Sequence, residues 1–509
     1  MNKTAPGALI AFTITLLTLA LMAGCAGAAA EKPNILIFIT DDESWLERSA
    51  YGWSKLPTPH FDRVAEAGVL FTHGYTSAPS CAPSRASLLA GRNFWELEQG
   101  ALIQAWVPKK FPVLPDLLAA AGYHTGDTGK GWGPGVYPEG AHGPDSAGPA
   151  YSAIQASEPQ KHISPVDYPA NFAAFLDARK EGQPFFFWVG VSEPHSPWAE
   201  DNHRKLEEKY GVSLDDIAVP AFVPDTPAMR RLRANEAYEI CYADEQLGRI
   251  LGILEERGEL ENTLLIATGD NGSASVPRSK ATPYDWGVHE PLAIMWPARV
   301  NGGRTVEDFV KFPDLTVTML QAAGVAVPAG MTGRGILDIL LSDKSGQVDP
   351  SRDWVVTGLE WHGEFDPVSR ASRMIRDRRY EYIVNYGNMP GIELDPAQRL
   401  PDAAFDKTAE TASLNELLVK HPEHPVVKPF VPLLASPMPP EQLYDLERDP
   451  WQTNNLIDDP ACAEVKERLK AQLREYQLET GDPRATGDMR IFEETRQYVQ
   501  QRKRAGYPR

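Results

Sequence analysis

The chain has few cysteines, few histidines, too few cations to balance its anions, and almost no long hydrophobic run. Four cysteines in 509 residues exclude a disulfide-stapled scaffold, because a chain of this length builds its own core. Fifty lysines and arginines face 69 acids, leaving a formal charge of −19. That balance excludes non-specific nucleic-acid binding, and an anionic substrate would need a local cationic pocket. Internal repeats are absent. What the chain does have is 44 prolines, 40 glycines and 42% apolar residues. This is the composition of a globular protein with many ordered loops.

The one long apolar run lies within the first 25 residues. Lys3 supplies a positive start, and the apolar stretch after it is too short to span a membrane with its flanks. It reads as an export signal. Its end, L-M-A-G-C, resembles a bacterial lipobox, in which cleavage exposes Cys25 for lipidation. Cleavage within the small residues that follow is the alternative. Either way the mature protein is exported, to the periplasm or cell surface, and meets membrane only through a lipid anchor. Cys241 and Cys462 would be free to pair in an oxidising compartment or to stay as buried thiols.

Short apolar runs rich in β-branched residues mark buried strands at 34–40, 185–191, 264–268 and 292–296. Helical periodicity covers 61–68, 113–122 and 229–257, each stretch ending at or next to a glycine. Strands alternate with helices. The fold class is therefore α/β, a large mostly parallel sheet covered by helices on both faces. Beyond about residue 350 the texture changes to shorter strands at 354–359, 380–386 and 442–446. A strongly basic stretch, a proline-rich stretch and a polar helix at 461–479 complete this part. It reads as a smaller C-terminal α+β domain with an antiparallel sheet, so the organisation is 1–25 signal, 32–350 catalytic domain and 351–509 subdomain.

Three polar clusters fall just past buried strands: Asp41-Asp42, His195 and Asp270-Asn271. In open α/β sheets that edge binds ligands. Asp41, Asp42, Asp270 and Asn271 offer only oxygen, which suits Ca²⁺ or Mg²⁺ rather than Zn²⁺. Either pair alone is equally at home in a helix cap or an Asx turn. Two pairs at strand ends point to a cation. His195 sits between prolines and fits a loop histidine as well as a proton donor.

Cys81 lies in S-C-A-P-S-R-A-S-L-L-A-G-R, away from any apolar run and from any partner cysteine. That stretch resembles the type I sulfatase signature, C-x-P-S-R followed by G-R. The resemblance runs along nearly the whole mature chain. N-I-L-I-F-I-T-D-D is similar to the family's first strand with its metal aspartates. G-Y-H-T-G-D-T-G-K places Lys130 at the family's central lysine, E-P-H-S-P places His195, T-G-D-N-G the second metal pair, and R-S-K-A-T-P-Y places Lys280. E-Q-L-Y-D-L-E-R-D-P-W-Q-T-N-N-L resembles the C-terminal tag. F-V-P-D-T-P-A, G-P-G-V-Y-P, S-R-M-I-R-D-R-R-Y and L-E-T-G-D-P are similar to the heparan N-sulfatase (sulfamidase) branch. One departure is Trp132, where the family commonly has histidine. There it would either stack on a sugar or simply pack.

The resemblance implies a sulfatase of the alkaline phosphatase superfamily acting on O- or N-sulfo groups of a sulfated glycan. It implies Cys81 oxidised to formylglycine by a maturation enzyme, and one Ca²⁺ held by Asp41, Asp42, residue 81, Asp270 and Asn271, with Mg²⁺ not excluded. Arg85, Lys130 and Lys280 would face the sulfuryl oxygens, and His195 would protonate the leaving group. Trp361, His362, Glu364 and Arg370 would form a substrate lip. The alternatives are a degenerate glycan-binding lipoprotein, and a phosphatase or phosphonate hydrolase of the same superfamily. The latter more often hold two zinc ions with extra histidines.

Overall fold

The computed structural model describes residue 1 and residues 32–363, 370–387 and 390–504. The export signal, Cys25 and Glu364 lie outside the described residues.

The larger sheet is built on β1 (Asn34–Thr40), β3 (His124–Gly129), β4 (Phe185–Gly190) and β5 (Thr263–Gly269). They lie in the order β3-β4-β1-β5, all parallel. The sheet continues through β6 (His289–Met295), β2 (Val69–Tyr75) and β7 (Arg304–Val306), with β8 (Val310–Lys311) also on β2. Every residue of β1 is buried. Its side chains alternate between two cores, as a strand period of two requires. Ile35, Ile37 and Ile39 pack with Leu88, Leu89 and Leu114 on one face. Leu36 and Phe38 pack with Phe172, Phe175 and Leu247 on the other. Helices therefore cover both faces, which is why these strands read as continuous apolar runs.

The second sheet is antiparallel, in the order β12-β11-β10-β9, from β9 (Trp354–Leu359), β10 (Ser372–Asp377), β11 (Tyr380–Asn385) and β12 (Glu441–Asp445). Leu469 and Leu473 of the Ala463–Glu479 helix share a core with Val356, Ile375, Tyr382 and Leu443. The same core takes in Phe94 and Trp95, just past the helix Cys81–Ala90. The small sheet is thus packed against the segment that follows residue 81.

Three points that the sequence leaves open are settled. The strand expected at 292–296 is β6, and it runs antiparallel to both neighbours. The basic stretch before residue 380 contains β10, a central strand with Arg373 fully buried. Cys241 is buried and Cys462 half-buried, and both are free thiols, so they do not pair. No helix among the described residues is long and apolar enough to cross a membrane.

Arg373 is tolerated inside because two acids meet it. Its Nε and Nη2 donate to Asp482 at 2.7 and 2.8 Å, and Glu360 lies 2.7 Å from Nη2. Burial pushes the Asp482 carboxyl up, but Arg373 outweighs it and holds the group below its ordinary value. The contribution of Asp482 is therefore complete above the unfolded carboxylate pKa and is lost as pH falls through the lower folded one. Asp482→Ala is expected to cost about 3–5 kcal/mol in denaturant unfolding at neutral pH, because it leaves the buried guanidinium with Glu360 alone and its Nε without an acceptor. Asp482→Asn should flatten the acid limb of the stability curve. An unchanged unfolding midpoint would contradict this.

Candidate active site

Because β3, β4, β1 and β5 are parallel neighbours, the residues after their carboxyl ends share one edge. Lys130, His195, Asp41-Asp42 and Asp270-Asn271 follow these strands in that order. Backbone bonds fix the spacing of the loops. Lys130 N–H donates to Gly190 O at 2.7 Å, Asp41 N–H to Glu193 O at 3.1 Å and Asp270 N–H to Thr40 O at 3.1 Å. Gly190 is required here: a Cβ would lie 1.8 Å from the Lys130 carbonyl oxygen. Trp188 adds an indole N–H to the same oxygen at 3.1 Å.

Cys81 opens its helix at this edge and is 1% exposed. Ser84 Oγ donates to Asp270 O at 2.6 Å. Arg85 is fully buried, with Nε on Asp270 Oδ2 at 2.7 Å and Nη1 on Lys130 O at 2.6 Å. Its charge is thus directed at holding Asp270 and the Lys130 loop together. Trp132 is 6% exposed, packs in the core, and donates from Nε1 to Ala82 O at 3.1 Å. The ring is turned inward and braces the first turn of the Cys81 helix.

The acids converge tightly. Ligand atoms of Asp41, Asp42, Cys81 and Asp270 lie within 4.8 Å of one another. Cys81 Sγ is 3.9 Å from Asp42 Oδ1, which also accepts from Asn271 Nδ2 at 2.8 Å. Asp42 has φ of 73°, the left-handed region that aspartate tolerates. Its backbone N–H donates to Asp270 Oδ1 at 3.1 Å. Lys130 is paired with Asp41. Lys280 reaches Asp42 Oδ2 at 2.5 Å. The lysine side chains stay 18% and 14% exposed, so both keep an open side.

His195 is the most open of these groups. Its Nδ1 bonds the Ser196 carbonyl at 2.5 Å, and a carbonyl only accepts, so Nδ1 carries a proton. Nε2 then faces the site, 3.6 Å from Asp42 Oδ2. At the rim, His362 Nδ1 is 3.0 Å from Ser80 Oγ, beside residue 81. Trp361 is buried among Ala101, Leu102 and Phe492, and Arg370 is half-buried.

The charges explain each other. Burial pushes the Asp41 carboxyl up, but Lys130, His195, Arg85 and Lys280 outweigh it and hold it well below the usual carboxylate range. Burial and the neighbouring Asp41 push Asp270 up to about 6, against Arg85 and Lys130. Burial and Asp41 push the Cys81 thiol up to about 12. Asp41 Oδ1 and Asn271 Oδ1 are buried with no hydrogen-bond partner. Crowded acids with unpaired inward oxygens fit a hard, oxygen-seeking cation, with Asp41, Asp42, Asp270 and Asn271 as its holders.

Sequence reasoning brought the acids, lysines and histidine to one edge. It did not find Trp188, which donates to the Lys130 carbonyl, or Gly190, which leaves room for it. The glycine ending a buried aromatic strand was the available signal of close backbone approach.

Residues 33–325 match the family model for sulfatases, and residues 279–419 match that for the C-terminal part of N-sulphoglucosamine sulphohydrolase. Human N-sulphoglucosamine sulphohydrolase is 28% identical, over 92% of this chain and 94% of its own. An ulvan-active sulfatase of Formosa agariphila is 26% identical, over 90% of this chain and 82% of its own. A structure solved with its substrate D-glucosamine-2-N,6-O-disulfate superposes with a TM-score of 0.66 at 20% identity. That match covers 89% of this chain and 98% of the other.

A cation that binds only the folded protein stabilises it, by about 2.7 kcal/mol at a hundredfold excess over Kd. EDTA is therefore expected to lower the unfolding temperature and added Ca²⁺ to restore it, with no such response in Asn271→Ala. An unfolding temperature indifferent to both would contradict the cation site.

Proposed function

The chain belongs to the sulfatase family and is a sulfuric ester hydrolase, and from that premise we propose that it removes O- or N-sulfo groups from a sulfated carbohydrate through a formylglycine at position 81. The observation that carries the proposal is the placing of residue 81 within reach of Asp41, Asp42 and Asp270, the first two paired with the mostly buried Lys130 and Lys280. The match of residues 279–419 to the N-sulphoglucosamine sulphohydrolase C-terminal model favours a glucosamine N-sulfate saccharide as first substrate.

A sulfate group is a tetrahedral anion, and its hydrolysis needs its charge countered, its sulfur attacked and its leaving atom protonated. A divalent cation, Ca²⁺ by family likeness, would supply positive charge against the sulfuryl oxygens and the attacking oxygen. A formylglycine hydrate at position 81 would offer one hydroxyl to attack sulfur and a second whose loss of a proton would re-form the aldehyde as sulfate leaves, with water restoring the diol. Serine has only the first. Lys130 and Lys280 donate to sulfuryl oxygens from their open sides, more strongly as charge grows in the transition state. His195, with its Nδ1–H held by the Ser196 carbonyl, presents Nε2, which in the imidazolium carries the second proton and gives it to the departing oxygen or nitrogen. Arg85 acts at one remove, as a positioning residue on Asp270 and the Lys130 loop.

Maturation must precede folding, because residue 81 is 1% exposed in the folded chain. An enzyme that generates formylglycine is the implied partner. Export and lipidation at Cys25 would place the protein where sulfated glycans lie outside the cell.

Mass analysis of the peptide carrying residue 81, from protein made in its native host, is expected to show an aldehyde. An unmodified thiol would favour the glycan-binding reading. Cys81→Ala should cut sulfate release from glucosamine N-sulfate by at least roughly 10³-fold with little change in unfolding temperature. Turnover like the unsubstituted protein would refute the nucleophile.

A further inference from the structure

The hydrogen bond that orients the His195 ring is a local one. Nδ1–H donates to the carbonyl of Ser196, the next residue, at 2.5 Å. It fixes the ring relative to its own turn, so the place of that turn over the site has to be fixed by other groups. The turn is closed by His195 N–H on Ser192 O at 3.0 Å. Trp198 Nε1 donates to Pro194 O at 2.7 Å, but Trp198 belongs to the same loop.

Two buried side chains tie the turn to the rest of the fold. Glu193 is 1% exposed and Tyr168 is fully buried. The Ser192 backbone N–H donates to Tyr168 Oη at 3.0 Å, and the Tyr168 hydroxyl donates to Glu193 Oε2 at 3.0 Å. Glu193 Oε1 accepts from the Ser164 backbone N–H at 2.7 Å. One phenol therefore holds two consecutive residues of the turn, the first by its backbone and the second by its side chain. Tyr168 opens the helix Tyr168–Ala178, and its ring is packed in the core with Phe172, Phe187 and Val189. The ring also passes against the end of β3, where a Cβ on Gly129 would lie 2.5 Å from it. Gly129 leads directly into Lys130, so the same side chain sets the His195 turn against the Lys130 loop.

A carboxyl kept from water without a cation is costly. Among the described residues no lysine, arginine or histidine pairs with Glu193, whose two oxygens are met by a backbone amide and a phenol. Such a group is a poor way to stabilise a fold and a good way to fix a backbone, because each oxygen accepts a directed bond. We infer that Tyr168 and Glu193 are positioning residues for His195, holding the 192–195 turn so that Nε2 is aimed at the leaving atom. The inference rests on His195 as the proton donor proposed above. It adds no step to the reaction: the proton still passes from His195 Nε2, and neither buried group touches substrate.

Kinetics of the full chain with formylglycine at position 81 test it. Tyr168→Phe removes one oxygen and keeps the packed ring. Glu193→Gln keeps the shape and loses one acceptor, and guards against Tyr168→Phe failing to fold. The two substrates differ in their need for a proton: the nitrogen of glucosamine N-sulfate must be protonated as it leaves, whereas 4-nitrophenolate departs as an anion. In both variants kcat for glucosamine N-sulfate is expected to fall at least about tenfold with KM little changed, while kcat for 4-nitrophenyl sulfate stays within about twofold. His195→Ala should show the same selectivity more strongly. Equal losses on the two substrates, or unchanged kinetics, beside a selective His195→Ala would overturn the positioning role alone. A His195→Ala without selectivity would remove the proton donor, and this inference with it. Crystals of Tyr168→Phe give a check that needs no turnover: the 192–195 turn should be displaced, and a His195 that superposes on the unsubstituted one would overturn the inference.

Discussion

The structure depends on one electrostatic constraint: several acidic side chains are buried together at the carboxyl edge of a parallel sheet, where water cannot relieve their repulsion. Every nearby cation answers that constraint. Arg85 is fully buried on Asp270, Lys280 reaches Asp42, and Lys130 reaches Asp41. Two inward oxygens, on Asp41 and Asn271, remain without a donor. Remaining unpaired oxygens after three cations have been spent indicate a further positive charge held by oxygen. The same arrangement that is poor for stability is suited to meeting a sulfate and a nucleophilic oxygen together.

Much of this was legible from residues. Buried parallel strands are nearly pure apolar runs, so β1, β4 and β5 stood out, and the acids just past them followed. β3 did not stand out, because H-T-G-D-T-G carries two glycines and no apolar run. The Cys81 motif located the helix, but not what its arginine does. A motif gives residue types, whereas the direction of Arg85 toward Asp270 depends on a strand some 185 positions away in sequence. Trp132 likewise has an aromatic's two possible uses, stacking or packing, and only the bond to Ala82 decides between them.

The C-terminal part was less legible. Residues 370–379 show in sequence only as a strongly basic stretch, whereas β10 within it is a central strand. Arg373 is buried on Asp482 and Glu360, and Arg376 on Asp285. The acids come from distant segments, so one-dimensional charge patterning could not pair them. The Arg376–Asp285 pair ties the small sheet to the turn that leads into β6 of the large one, and Ser80 and His362 make a second link beside residue 81.

The most direct measurement is an anomalous-scattering map from crystals grown with calcium. One peak is predicted, in contact with oxygens of Asp41, Asp42, Asp270 and Asn271 at roughly 2.3–2.6 Å. No peak at that edge, or a metal held there by nitrogen or sulfur, would contradict the account.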